Sequence, residues 1–265
     1  MCRLLAYLGT PLFLEDLLIR PEGSLVSQSL AAREARTVVN GDGCGLGWYG
    51  ERPEPGLYRG VLPAWSDANL ASLCGQIRSG LFLAHVRAAT SGGVSTANCH
   101  PFALGRHLFM HNGQIGDYGR LRRQVEAMIP DAAYESRRGT CDSEALFLAA
   151  LAHGLERDPA GAYARTLGTV EALKAEGAEP TRFAAVHTDG RRLFAFRWAS
   201  DGQPPSLYWR VEAGGVLVAS EPCGDDPSLW SALPPGSVLE AGPEGAWLRA
   251  FEVGPQACVR ARHAA

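Results

Sequence analysis

The stretch FAAVHTDGRRLFAFRW (183–198) carries two apolar runs, 183–187 and 193–198, on either side of Asp189-Gly190. Asp-Gly between apolar runs favours a tight antiparallel turn, because glycine accepts the positive φ that such turns require. A β-hairpin is therefore predicted here. Toward the C-terminus, 207–211 and 216–220 flank Gly214-Gly215 in the same way, and a third pair is expected around 242–245. Toward the N-terminus the period changes. Residues 118–129, 142–155 and 162–174 space their apolar side chains at i, i+3 and i+4, which predicts helices. Further upstream, 2–8 (CRLLAYL), 81–86 and 107–110 are short apolar runs expected to be buried strands, the first ended by Gly9-Thr10-Pro11. A short helix over 13–19 stops before Arg20-Pro21, and another over 67–77 has Ser66 or Asp67 as its cap. NGDGCGLGWY (40–49) reads as a glycine-dense turn feeding a strand. No repeat or linker separates the halves, so the expected class is α+β: one domain over 1–265, two sheets covered by helices, with hairpins contributed by 180–258.

Composition narrows the function. The 265 residues suffice for a substantial core, and 46% hydrophobic with 20% charged residues is a globular balance rather than a disordered one. A net charge of −3 offers no electrostatic footprint for nucleic acid or an anionic membrane. The basic cluster from Arg120 to Arg123, with Arg137 and Arg138 nearby, reads as helix surface. No apolar run approaches the ~20 residues of a membrane span, and Glu15 and Asp16 interrupt the only stretch that a signal peptide would need. Seven scattered cysteines without a CxxC pair fit reduced thiols in a cytoplasmic protein. A metal site of Cys99, His100, Cys141 and His153 matches no familiar ligand spacing, so neither metal nor other cofactor is expected.

Four places could carry chemistry. Cys2 becomes the first residue once Met1 is removed, as happens before small side chains. Its thiol, ordinarily near 8.5, then shares an α-carbon with a free amine of pKa roughly 7.7 to 8.0. Nucleophile and base would occupy one residue; by position alone, a small hydrophobe starting a buried strand is an equal reading. Arg87, at the end of a strand in HVRAATS (85–91), could fork a carboxylate, or simply make a structural ion pair. His111-Asn112-Gly113 offers a side-chain amide beside a glycine N–H, two donors suited to an oxyanion, although Asn-Gly is also a common turn. Thr140-Cys141-Asp142 opens a helix. There Thr140 can act as cap and Asp142 can favour the helix dipole, or Asp142 can bind a cationic amine. Together the four match a ligand with an α-carboxylate, an α-ammonium and a γ-carboxamide.

These residues resemble the class II glutamine amidotransferases, whose domain begins with a catalytic cysteine. The stretches that carry the resemblance are MCRLLAYLG (1–9), NGDGCGLGWY (40–49), HVRAAT (85–90), NCHPF (98–102), HNG (111–113) and CDSEAL (141–146), in family order. The resemblance implies a four-layer αββα sandwich of the N-terminal-nucleophile (Ntn) hydrolase type, with two stacked, mainly antiparallel sheets. It implies Cys2 as nucleophile with its amine as base, and Asn112 and Gly113 as the oxyanion hole. Arg87 with Thr90 would hold the substrate α-carboxylate, Asp142 the α-ammonium, and His100 would shape the glutamine-binding loop. His85 is expected to be a buried, hydrogen-bonded strand-end residue. Cys44 departs from the aromatic residue usual in related members. No synthase module is read after the domain. MCR, NGDG and the stretch LVASEP (217–222) are similar to the stand-alone subgroup that includes the γ-glutamyl hydrolase of ergothioneine biosynthesis and the subunit of a glutathione-degrading complex. The implied activity is hydrolysis of a γ-glutamyl amide through a Cys2 thioester. The alternative is a non-catalytic or partner-dependent subunit that binds γ-glutamyl ligands. The expected partner is a small γ-glutamyl substrate, with a homodimer or partner enzyme subunit compatible with the resemblance.

Overall fold

A computed structural model describes residues 2–34, 37–89, 92–212 and 214–254. Met1, Thr90 and Cys258 lie outside them. In chain order the first half holds strand β1 (Arg3–Phe13), helices α1 (Glu15–Leu18) and α2 (Leu25–Leu30), then β2 (Cys44–Trp48) and β3 (Gly56–Gly60). Helix α3 (Ala68–Gln76), β4 (Arg78–Val86), β5 (Phe102–Leu104) and β6 (His107–Gln114) follow. Next come helices α4 (Tyr118–Glu126), α5 (Asp131–Tyr134), α6 (Asp142–Ala149) and α7 (Pro159–Ala172). The remainder is strand: β7 (Arg182–Thr188), β8 (Leu193–Ala199), β9 (Tyr208–Glu212), β10 (Gly215–Ala219), β11 (Ser231–Ala232), β12 (Ser237–Gly242) and β13 (Gly245–Ala250). All three hairpins expected from glycine-bearing turns are present.

The strands form two antiparallel sheets, ordered β11-β9-β10-β1-β4-β2-β3 and β13-β12-β8-β7-β6-β5. Side-chain alternation along each strand explains the four layers. Leu4 and Ala6 of β1, Leu81 and Leu83 of β4, and Leu108 and Met110 of β6 share the core between the sheets. Leu5, Tyr7, Phe82 and Ala84 face the other way, onto Leu17, Leu25 and Leu70 of α1–α3. Phe109 and Phe183 pack outward on Val125, Phe147 and Tyr163 of α4, α6 and α7. Strands covered on both faces must be apolar at nearly every position, which is why their runs show no polar alternation. The architecture is thus the αββα arrangement.

Two elements differ from expectation, and at a third, Asn112-Gly113, the structure chooses between two readings. Strand β1 continues past Gly9-Thr10-Pro11 to Phe13, with a bulge between the pairs Leu8↔Leu81 and Leu12↔Ser79. A bulge leaves residues without ladder partners, so proline's missing N–H costs nothing there. The Asn112-Gly113 pair makes no turn. It continues β6, pairing with Ala184 and Phe183 of β7, and neither residue has positive φ. Gly113 is needed for a different reason: a Cβ there would sit 1.9 Å from the Arg182 carbonyl oxygen. Thr140 is not the cap of α6. Cys141 takes that position, while the Thr140 N–H donates to Asn98 Oδ1 at 2.7 Å.

Candidate active site

The alternation that builds the core also aims the polar residues. Cys2 has the parity of Leu4 and Ala6, His85 that of Leu83, and Asn112 that of Met110, so all three face the layer between the sheets at one end of β1, β4 and β6. Cys2 is half-buried, with Sγ 3.4 Å from both the N–H and the carbonyl of Ala88. Burial pushes the thiol up, opposed by the Ala88 main chain and by the Arg87 and Arg3 guanidiniums. Such a thiol holds its proton at neutral pH, so attack requires an acceptor for it.

Arg87 leaves β4 tied to the glycine-rich stretch: its N–H donates to Gly43 O at 2.8 Å, and its carbonyl accepts from Asp42 N–H at 2.9 Å. Gly43 takes φ +115°, where a side chain would collide with Gly60 O and Cys99 Sγ. The Asp42 carboxylate accepts the Ala89 N–H at 2.8 Å. The buried Cys44 thiol donates to Asp67 Oδ2 at 3.6 Å, an oxygen that also accepts the Tyr58 hydroxyl at 2.6 Å. The buried Arg87 guanidinium donates to Gly93 O at 3.2 Å and Gly92 O at 3.4 Å. Asn98 closes the loop, donating to Gly93 O at 2.9 Å and accepting from the N–H groups of Thr140 and Cys141 at 2.7 and 3.2 Å. Asn98 thereby ties the segment at Gly93 to the start of α6.

Asp142 is held in turn. Its Oδ2 accepts the Ile115 N–H at 2.7 Å and its Oδ1 the Ser143 N–H at 2.9 Å. His111, facing outward from β6, bridges Arg182 O and Ser143 Oγ, each at 2.9 Å. A carbonyl can only accept, so Nε2 carries the hydrogen and Nδ1 accepts from the serine hydroxyl. The HNG strand and the CDSE helix are thereby locked together. Glu144 braces the preceding turn by accepting the N–H groups of Arg138 and Gly139 at 3.1 and 2.7 Å. Arg137, expected on a helix surface, is instead half-buried as a residue, its guanidinium paired with Glu144 and Glu126 at 2.5 and 3.1 Å.

Against these satisfied groups stand several that are not. Asn40, His85, His100 and Asn112 are buried, and the polar side-chain atoms of each lack a hydrogen-bond partner. His85 packs against His100 with ring centroids 4.2 Å apart and planes tilted by 35°, and lies against the His111 main chain without a bond of normal geometry. The expected hydrogen bond of His85 is thus absent. Burial, reinforced by Arg87, pushes His85 down to about 3; burial also takes His100 well below its ordinary value, and both rings are neutral. Unpaired buried polar atoms cost about 1–3 kcal/mol each, so each of these groups calls for a reason to be there.

The site residues expected from the sequence are Cys2, Arg87, Thr90, His100, Asn112, Gly113 and Asp142, of which Thr90 lies outside the described residues. Asn40, Asn98, His111 and Ser143 lie within the quoted motifs NGDG, NCHPF, HNG and CDSE but have no role assigned from the sequence, because their partners are distant in the chain. Among the described residues, no three His, Cys, Asp or Glu side chains are grouped to hold a metal, and no helix is long and apolar enough to cross a membrane.

The family model for class-II glutamine amidotransferases matches residues 16–202. The chain belongs to this family. The match excludes Cys2 at one end and β9–β13 at the other, but similarity to individual amidotransferases runs further. The Saccharomyces cerevisiae protein named "Probable glutamine amidotransferase DUG3" is 33% identical, covering 90% of this chain and 81% of its own. The γ-glutamyl-hercynylcysteine sulfoxide hydrolase of Mycobacterium tuberculosis is 32% identical, covering 95% and 97%. The solved structure of a glutamine aminotransferase class-II domain protein from Silicibacter pomeroyi is 41% identical, with a TM-score of 0.72, covering 94% and 99%. The Ntn-type sandwich is therefore shared along nearly the whole amidotransferase chain.

Proposed function

We propose that this enzyme hydrolyses the γ-glutamyl amide bond of a small γ-glutamyl compound, with Cys2 as nucleophile after removal of Met1. The observation that carries the reading is Asn112, a buried amide with no partner, on the same face and at the same end of the sandwich as Cys2. The thiol passes its proton to the freed α-amine, and sulfur attacks the γ-carbonyl. Asn112 and a main-chain N–H at Gly113 receive the oxyanion. Strand β5 pairs with β6 only as far as Phe109, which supports the second donor by leaving that edge of β6 open beyond it. The amine returns the proton to the departing nitrogen, and water then cleaves the γ-glutamyl thioester. Arg87 binds the α-carboxylate, with Thr90 beside it. Asp142 takes the α-ammonium, and His100 shapes the loop wall as a neutral ring. Because β7–β13 join the same two sheets as β1–β6, residues 1–265 are read as one amidotransferase domain. The mycobacterial relative is named for a γ-glutamyl conjugate; a substituted amine is the leaving group we favour here too.

Incubation of the purified protein with glutamine, glutathione and γ-glutamyl-amine conjugates should release glutamate from at least one of them. A chain whose mass shows Met1 removed, yet which releases none, would reject the proposal. Arg87→Lys turns a fork into a point charge and should raise KM by roughly 10- to 100-fold with a smaller change in kcat; steady-state kinetics that leave KM unchanged reject the carboxylate role.

A further inference from the structure

Arg3 lies next to the proposed nucleophile in β1, on the opposite face of the sheet, and is fully buried. Burying a guanidinium is costly, and engaging its donors offsets part of that cost. Its Nε donates to the Cys2 carbonyl oxygen at 2.7 Å, and its Nη1 to Glu221 Oε1 at 2.9 Å. The register Leu5↔Ala219 between β1 and β10, extended by two residues, places Glu221 opposite Arg3. Glu221 is itself buried and accepts the N–H groups of Arg33 and Glu34, each at 2.9 Å. Ser220 adds a further tie by accepting the Leu4 N–H at 3.0 Å. A buried pair of this kind is weak evidence for stability, and Nη2 of Arg3 remains without a partner. What the pair does hold is the main chain of Cys2.

That hold matters because a terminal residue has no preceding peptide to fix it. Gripped at its carbonyl by Arg3 and at its sulfur by Ala88, Cys2 keeps little freedom to swing its amine. The charged groups around it are unequal. Arg3 and Arg87 are cationic neighbours. Glu221 and Glu34 lie on the far side of Arg3, the latter bound to the Tyr208 hydroxyl. Asp42 and Asp142 are turned onto main-chain N–H groups, while His85 and His100 are neutral. A nearby cation favours both the thiolate and the neutral amine.

We propose that Arg3, held by Glu221, is a positioning residue that orients the free α-amine of Cys2 beside its sulfur and keeps that amine available as a base. The proposal rests on Cys2 being the processed nucleophile. The double variant Arg3→Gln/Glu221→Gln removes both charges and keeps hydrogen-bonding capacity. Iodoacetamide alkylation of Cys2 against pH, read by mass on the N-terminal peptide, needs no substrate. Its midpoint should rise by about one unit. In turnover, kcat should fall roughly 10- to 100-fold with KM little changed, and the acid limb of kcat/KM should move upward with the alkylation midpoint. Arg3→Lys keeps the charge, and should lower kcat without moving the alkylation midpoint. A folded double variant with wild-type alkylation and kcat overturns the proposal. If the double variant does not fold, an unchanged kcat in Arg3→Lys overturns it instead. Should the wild type cleave no γ-glutamyl compound while the alkylation midpoint still shifts, the substrate reading fails and the positioning role stands.

Discussion

Cys2→Ala is expected to lower glutamate release by at least about 10⁴-fold, because a nucleophile acting with its base as a unit leaves little behind when removed. No other cysteine in the described part of the chain can take its place. Cys44, Cys74, Cys99, Cys141 and Cys223 are all buried. Burial pushes the Cys74 and Cys141 thiols up to about 12 and Cys223 to about 11, and raises Cys44 and Cys99 as well. They are protonated near neutral pH and enclosed. Stability should hardly change, since Cys2 is only half-buried and gives up little beyond the Sγ contacts with Ala88. A thermal melt beside a coupled glutamate assay tests both halves. Residual turnover within tenfold of wild type in a folded protein removes Cys2 from the chemistry. Blocking Met1 removal should be equally damaging with the thiol intact, since the amine would then be part of a peptide bond. That second variant separates loss of the base from loss of the nucleophile.

Asn112→Ala should reduce kcat about 10² to 10³-fold, the usual loss for one oxyanion donor, equivalent to ~3 kcal/mol of barrier. Its effect on folding should run the other way. The Asn112 amide is fully buried and neither of its polar atoms has a partner, so the folded chain carries an unmet desolvation cost of about 1–3 kcal/mol at this position. Alanine relieves that cost and loses some packing, leaving stability equal or slightly higher. A side chain that lowers stability yet is needed for turnover is the signature of a site built for a transition state. Denaturant titration alongside kcat measurement decides the matter. A variant that loses several kcal/mol of stability, or that keeps near-normal kcat, shows Asn112 to be structural.

Much of the fold was legible. The hairpin about Asp189-Gly190 depends on a turn chemistry contained in two adjacent residues, and the helices from Tyr118 to Ala172 depend on a local period. Asn112-Gly113 was ambiguous for the same reason: the pair supports a turn or a strand, and β7 pairing on one side chooses the strand. Chain position alone also made Cys2 a candidate, because nothing tertiary is needed to put a thiol and an amine on one carbon.

What the chain determines by itself is what neighbouring residues settle among themselves: turns, periodicities, and the candidacy of Cys2, where a thiol and an amine can share one carbon. Tertiary structure alone decided the partners. Glu221 meets Arg3 across 218 positions, Asn98 meets Thr140 across 42, and His111 meets Ser143 across 32. The physical reason is that a buried charge or amide is satisfied by whichever group the stacked sheets bring to it. Local sequence carries no record of that group, because hydrogen bonds and ion pairs depend on distance in space and not along the chain.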